Sequence, residues 1–77
     1  MSEKEWLDRF SNKLVELLNN TGMTQRELAR EAGLAESSVS DYIHGLQMPG
    51  TRAILNMSIV LNVKPKELID FGSMIVD

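Results

Sequence analysis

Ala29, Gly33 and Val39 stand at spacings that leave the middle of this chain few ways to fold. Good helix formers run from Gln25 to Ala32, Gly33 interrupts them, and a second helical stretch is predicted over 36–44. With Gln25 as the first of twenty positions, Ala29 is the fifth, Gly33 the ninth and Val39 the fifteenth. Two short helices joined by so few residues must cross steeply and approach closely. The crossing needs a small side chain, which Ala29 supplies. The reversal needs a residue that adopts positive φ, which Gly33 does without steric cost. Leu28, Ala32, Leu34, Val39 and Tyr42 are then expected to bury this unit against its neighbours.

The rest of the chain also reads as helix. Ser2 and Glu5 form a capping box, followed by apolar residues at 6, 7, 10, 14, 17 and 18, one buried helical stripe that Asn19 to Gly22 ends. Thr24 and Glu27 form a second capping box. Ala35, at the start of the third helix, is a poor cap, with Ser38 as an alternative capping residue. Gly45 closes that helix, and residues 46–50 form a loop containing Pro49. A fourth helix is predicted over 51–61, with Ile54, Leu55, Met57, Val60 or Ile59, and Leu61 as core candidates. Pro65 suits the first position of a fifth helix, which Gly72 ends. No segment alternates with period 2. The expectation is an all-α fold, a compact five-helix globule of crossing helices, with one domain over 1–72 and a short apolar tail over 73–77.

Composition removes most kinds of chemistry. Seventy-seven residues make one domain. There is no cysteine, so disulfides, thiolate metal sites and cysteine nucleophiles are excluded. A lone histidine, His44, argues against a histidine metal site. No apolar run approaches the roughly 18 residues of a membrane span, and the charged N-terminus is unlike a secretion signal, so the expected compartment is cytoplasmic. Ser40, Asp41 and His44 share one helix. Asp41 is rotated about 100° from Ser40, however, and cannot orient the imidazole from behind. No catalytic residue, metal or cofactor is therefore expected. The net charge of −3 stands against a nucleic-acid partner.

Against that charge stands a resemblance. The segment Thr24-Gln25-Arg26-Glu27-Leu28-Ala29 through Gly33-Leu34-Ala35-Glu36-Ser37-Ser38-Val39-Ser40 resembles the phage repressor/Cro (Xre-type) helix-turn-helix family. Gly45 and Pro49 fall where that family has Gly and Pro. Ile54, Met57, Leu61, Val63 and Leu68 match its apolar spacing, so the resemblance spans about residues 7–71. It implies a lambda-repressor-like domain in which Ala29, Gly33 and Val39 are structural. It also implies a third helix lying in the DNA major groove. The family's base-reading positions fall on Glu36, Ser37, Ser40 and Asp41. Gln25 falls on a phosphate-binding glutamine, and Thr24, Arg26, Thr51 and Arg52 join it as phosphate candidates. Leu18 and Ile43 depart from the pattern, since many relatives pair a basic residue with a glutamate there. The implied function is a sequence-specific DNA-binding transcriptional regulator, a repressor of phage or bacterial type. It would bind double-stranded DNA as a homodimer on a palindromic operator. Ile69, Phe71, Met74, Ile75 and Val76 are candidates for the dimer patch. The alternative is a protein-interaction module on the same fold, such as an antitoxin-like regulator.

Overall fold

Local hydrogen-bonding chemistry decides where each helix begins and ends in this computed structural model, which describes residues 2–69. The elements are α1 (Glu3–Thr21), α2 (Gln25–Ala32), α3 (Glu36–Ile43), α4 (Thr51–Leu61) and α5 (Pro65–Ile69), with no strand among the described residues. At the head of α1 the Glu5 N–H donates to Ser2 Oγ at 3.1 Å, and the Ser2 N–H donates to the Glu5 carboxylate at 2.9 Å. Both predicted capping boxes are formed. At the end of α2, Gly33 takes φ 69° and its N–H donates to the last carbonyls of the helix.

One boundary differs from expectation. The third helix stops at Ile43, with His44 as its C-cap, because Gly45 at φ 69° already turns the chain. There the Gly45 N–H donates to the Tyr42 carbonyl at 3.2 Å, and the Leu46 N–H to that of Asp41 at 2.8 Å. At its other end no side chain caps α3. Ala35 has no oxygen to offer, and Ser38 does not take over the role. The end of α5 at Gly72, the boundary at 72 and the tail at 73–77 lie outside the described residues, as do Phe71, Met74, Ile75 and Val76.

The core is aliphatic with an aromatic chain at one end. Phe10, Leu14, Leu28, Val39, Met57 and Leu68 are fully buried, each contributing about 1.5–3 kcal/mol by leaving water. Trp6 stacks on Phe10 at 5.3 Å, and Phe10 meets the edge of Tyr42 at 6.2 Å, so α1 grips α3 through rings. α2 packs against both α3 and α4, while α1 covers α3, α5 and part of α4. Ala29 is 3% exposed, small enough for the close approach of α2 to its neighbours.

The fourth helix corrects the sequence reading. Leu55 and Ile59 are 44% and 75% exposed, not core. Met57 and Leu61 face inward as expected, and Ala53 and Ser58 join them, with Ala53, Met57 and Leu61 at i, i+4 and i+8. Leu55 and Ile59 each lie two residues from Met57, about 200° around the helix, and so point away from the core. Ile54 and Val60 pack half-buried at its margin. Ser58 tolerates complete burial because its hydroxyl donates to the Leu55 carbonyl at 2.8 Å within the same helix.

Candidate nucleic-acid interface

Burying Val39 and Tyr42 fixes which side of α3 faces out. Glu36 and Ser37 are exposed, and Ser40 and Asp41 are half-buried on the rim of the same helix. The side chains of Glu36, Ser37 and Asp41 have no hydrogen-bonding partner within the described residues. Their donors and acceptors are therefore available to an outside surface. His44, at the end of this row, turns back on its own helix. Its ring Nδ1 lies 2.7 Å from the Ser40 carbonyl, a distance that requires Nδ1 to carry the proton and donate. That nitrogen lies 3.5 Å from Ser40 Oγ but, being the donor to the carbonyl, is not a base toward it.

Two helix starts bracket this face in sequence. At the start of α2, Thr24 Oγ1 accepts the Glu27 N–H at 3.1 Å, and the Glu27 carboxylate accepts the Thr24 N–H at 2.9 Å. The N–H groups of Gln25 and Arg26 remain without an intrahelical partner. Gln25 is half-buried there, with Thr24 and Arg26 exposed. The start of α4 carries no side-chain cap at all, since its N-cap is Gly50. Thr51 and Arg52 are exposed in its first turn, beside free N–H groups with a positive helix-dipole end. Pro49 is buried and anchors the loop leading to it, while Leu46 projects at 73% exposure. The five phosphate candidates thus gather at two helix N-termini, the chemistry that binds anions best.

The acidic balance is softened by where the acids are held. Asp8 pairs with Lys4 at 3.6 Å and Glu16 with Lys13 at 3.8 Å, both within α1. Glu5, Glu27 and Glu67 turn their carboxylates onto backbone N–H groups at the starts of α1, α2 and α5. Arg26 and Arg52 enter no ion pair among the described residues. No group of three or more His, Asp or Glu among the described residues could hold a metal ion. No helix among them is long and apolar enough to cross a membrane.

The helix-turn-helix family pattern matches residues 14–68, running from the middle of α1 almost to the end of α5. The chain belongs to the Xre-type helix-turn-helix family. Its helix-turn-helix unit is α2, the turn at Gly33 and α3. The restriction-modification controller protein C.AhdI from Aeromonas hydrophila has a similar crystal structure, with 32% identity and a TM-score of 0.78. The match covers 80% of this chain and 94% of that one. The solution structure of the SOS-response transcriptional repressor LexA from Eubacterium rectale superposes on all of this chain and 82% of its own, at 19% identity and a TM-score of 0.83. It shows the shared fold. No curated protein matches.

Family membership does not by itself reveal two supporting residues that the sequence reading missed. Ser11 on α1 donates its hydroxyl to the Ile43 carbonyl at the end of α3. Asn56 on α4 donates through Nδ2 to the Ala32 carbonyl at the end of α2, at 3.1 Å. Each ties one helix of the Xre-type unit to a helix outside it.

Proposed function

We propose that this protein is a sequence-specific DNA-binding transcriptional regulator of the repressor type, acting in the cytoplasm as a homodimer on a palindromic operator. One observation carries the reading. The outer row of α3, Glu36, Ser37, Ser40 and Asp41, is polar and exposed to half-exposed, on the second helix of a helix-turn-helix whose inner side is locked into the core. In this motif that helix enters the major groove. Glu36 and Asp41 accept hydrogen bonds from cytosine N4, and the serines bond to several bases. Gln25, with Thr24 and Arg26, holds one phosphate at the start of α2. Thr51 and Arg52 hold another at the start of α4. Residues 1–72 form the DNA-binding unit of this proposal.

The homodimer follows from energetics. With two free arginines per subunit at the contact ends, each copy neutralises few phosphates, and affinity depends steeply on that number. A two-fold pair doubles the count and places two recognition helices about 34 Å apart on one face of the duplex. The similarity to a controller protein and a repressor supports the regulatory role. Selection of duplexes from a random pool tests it, followed by titration of the enriched sequence and its half-site with sedimentation of the complex. An enriched palindrome bound by two chains is expected. Enrichment of no sequence would overturn the reading.

A second reading, a module whose main partner is a protein, is favoured by the outward-facing Leu55 and Ile59. Ile59 also lines an open depression together with Arg30, Gly33, Asn56 and Val60. Titration with random duplex at low salt separates the two. A DNA reader retains weak binding there through its phosphate contacts, and a purely protein-binding module does not.

A further inference from the structure

We infer that Ser11 is a positioning residue for DNA reading, its hydroxyl fixing the pose of α3 by holding the last carbonyl of that helix. The inference rests on α3 being the helix that reads bases. α3 has eight residues and no side-chain cap at its start, so by itself it is a marginal helix that takes its orientation from its surroundings. Its buried side chains, Val39 and Tyr42, hold it to the core through apolar contact. Such contact is non-directional and leaves a two-turn helix free to roll or slide by small amounts.

Ser11 supplies direction. Its Oγ–H donates to the Ile43 carbonyl across 32 residues of sequence, in a partly buried setting. That carbonyl is one of those a helix end leaves without an internal partner. The same stretch of α1 meets the end of α3 at two further points. Phe10 touches the edge of Tyr42 at 6.2 Å. A Cβ placed on Gly45 would stand 3.7 Å from Asp8 Oδ1 and 3.9 Å from Ser11 Cβ. No charge pair duplicates this link, because both ion pairs formed by the described residues stay inside α1.

The consequence separates two kinds of binding. Reading a base edge requires placement within about 0.5 Å and 10–20°. Attraction to phosphate falls off only as the inverse of distance and tolerates such errors. A helix that has lost its tether should therefore lose discrimination before it loses general affinity for DNA.

The test uses the full chain with Ser11→Ala, Ser11→Cys and Ser11→Thr, the duplex selected by the wild type, and a random duplex. Alanine is a better helix former than serine, so α1 itself is not weakened. Ser11→Ala is expected to keep the helical spectrum and to bind random duplex within about twofold of wild type, while losing roughly fivefold or more on the selected duplex. Ser11→Thr, which keeps the hydroxyl, should restore the ratio. Ser11→Cys keeps the size with a much weaker donor and should repeat the loss, which covers the case of an alanine variant that fails to fold. An unchanged ratio in the Ala or Cys variant, equal losses on both duplexes, or failure of Thr to restore the ratio would overturn the positioning role. A wild type that prefers no duplex would instead remove the base-reading role on which it rests.

Discussion

Glu27 and Thr24 satisfy each other at the mouth of α2, where carboxylate meets N–H at 2.9 Å and N–H meets hydroxyl at 3.1 Å. The pair stabilises the helix start by giving two orphan donors a partner. It also places a fixed negative charge next to Gln25 and Arg26, the residues proposed to meet a phosphate. The helix start is thus partly occupied by the protein's own anion, which leaves the N–H groups of Gln25 and Arg26 for the proposed phosphate contact.

The first prediction concerns pH. The Glu27 carboxyl is held below its ordinary value of 4.5 by the backbone bond to Thr24, then by the Thr24 hydroxyl, and Glu5 is held down in the same way by Ser2. A depressed carboxyl contributes stability that is fully present above its unfolded value and is lost as pH falls through the lower, folded one. Urea midpoints should therefore decline as the pH drops below about 4.5. A Glu5→Gln, Glu27→Gln variant should be less stable at neutral pH and show a shallower decline. Equal slopes in the two proteins would place the acid sensitivity elsewhere.

Base and phosphate contacts should separate in titrations. Ser40→Ala and Asp41→Ala are expected to relax one operator position each, at about 1–3 kcal/mol for the lost base contact. Gln25→Ala and Arg52→Ala should weaken every duplex about equally, and Arg52→Ala should lower the salt slope by about 1. If Asp41→Ala tightens binding to all sequences, its carboxylate only repels phosphate.

Ala29 tests the packing of the helix-turn-helix unit. Leucine at this 3%-exposed position adds three heavy atoms where α2 meets its neighbours. Ala29→Leu should cost about 1–3 kcal/mol through strain and displaced helices. Thermal unfolding measures it, and an unaltered midpoint would mean that α2 does not approach as closely as described.

Asn56 gives the fourth prediction. Its amide serves the Ala32 carbonyl at 3.1 Å, just before the turn at Gly33. Asn56→Ala should cost about 1–3 kcal/mol, because it leaves that partly buried acceptor unsatisfied. Denaturant unfolding would detect it. A variant as stable as wild type would imply that water replaces the amide.

Sequence reading succeeded where the physics is local. Both capping boxes and the stop at Gly33 depend on residues within one turn of each other, so spacing alone reports them, whereas the outward row on α3 was named through the family resemblance. On α4 it placed Met57 and Leu61 correctly but not Leu55, because Ile54, Leu55, Met57, Ile59, Val60 and Leu61 nearly surround the helix. Periodicity cannot choose a face there, and the packing of α2 and α5 made the choice. Ser58, a polar residue, then took a core position that no hydrophobic pattern would assign. Ser11 and Asn56 were invisible for another reason. Each bonds to a backbone carbonyl, 32 and 24 residues away, and a carbonyl leaves no mark in the identity of the residue that carries it.

The absence of internal duties on the outer face of α3 has a consequence for how such a protein changes over time. Among the described residues, the side chains of Glu36, Ser37 and Asp41 make no hydrogen bond or ion pair and cap no helix. Exchanging them alters what the helix can touch while leaving the remainder of the molecule as stable as before, since substitutions at such sites usually stay within about 0.5 kcal/mol. If these residues read bases as proposed, new target sequences are reachable by steps that each remain foldable. On the proposed base-reading role, a lineage built on this scaffold would be retargeted at 36, 37 and 41, whereas exchanges at Ala29, Gly33 and Val39 disturb the packing and the turn.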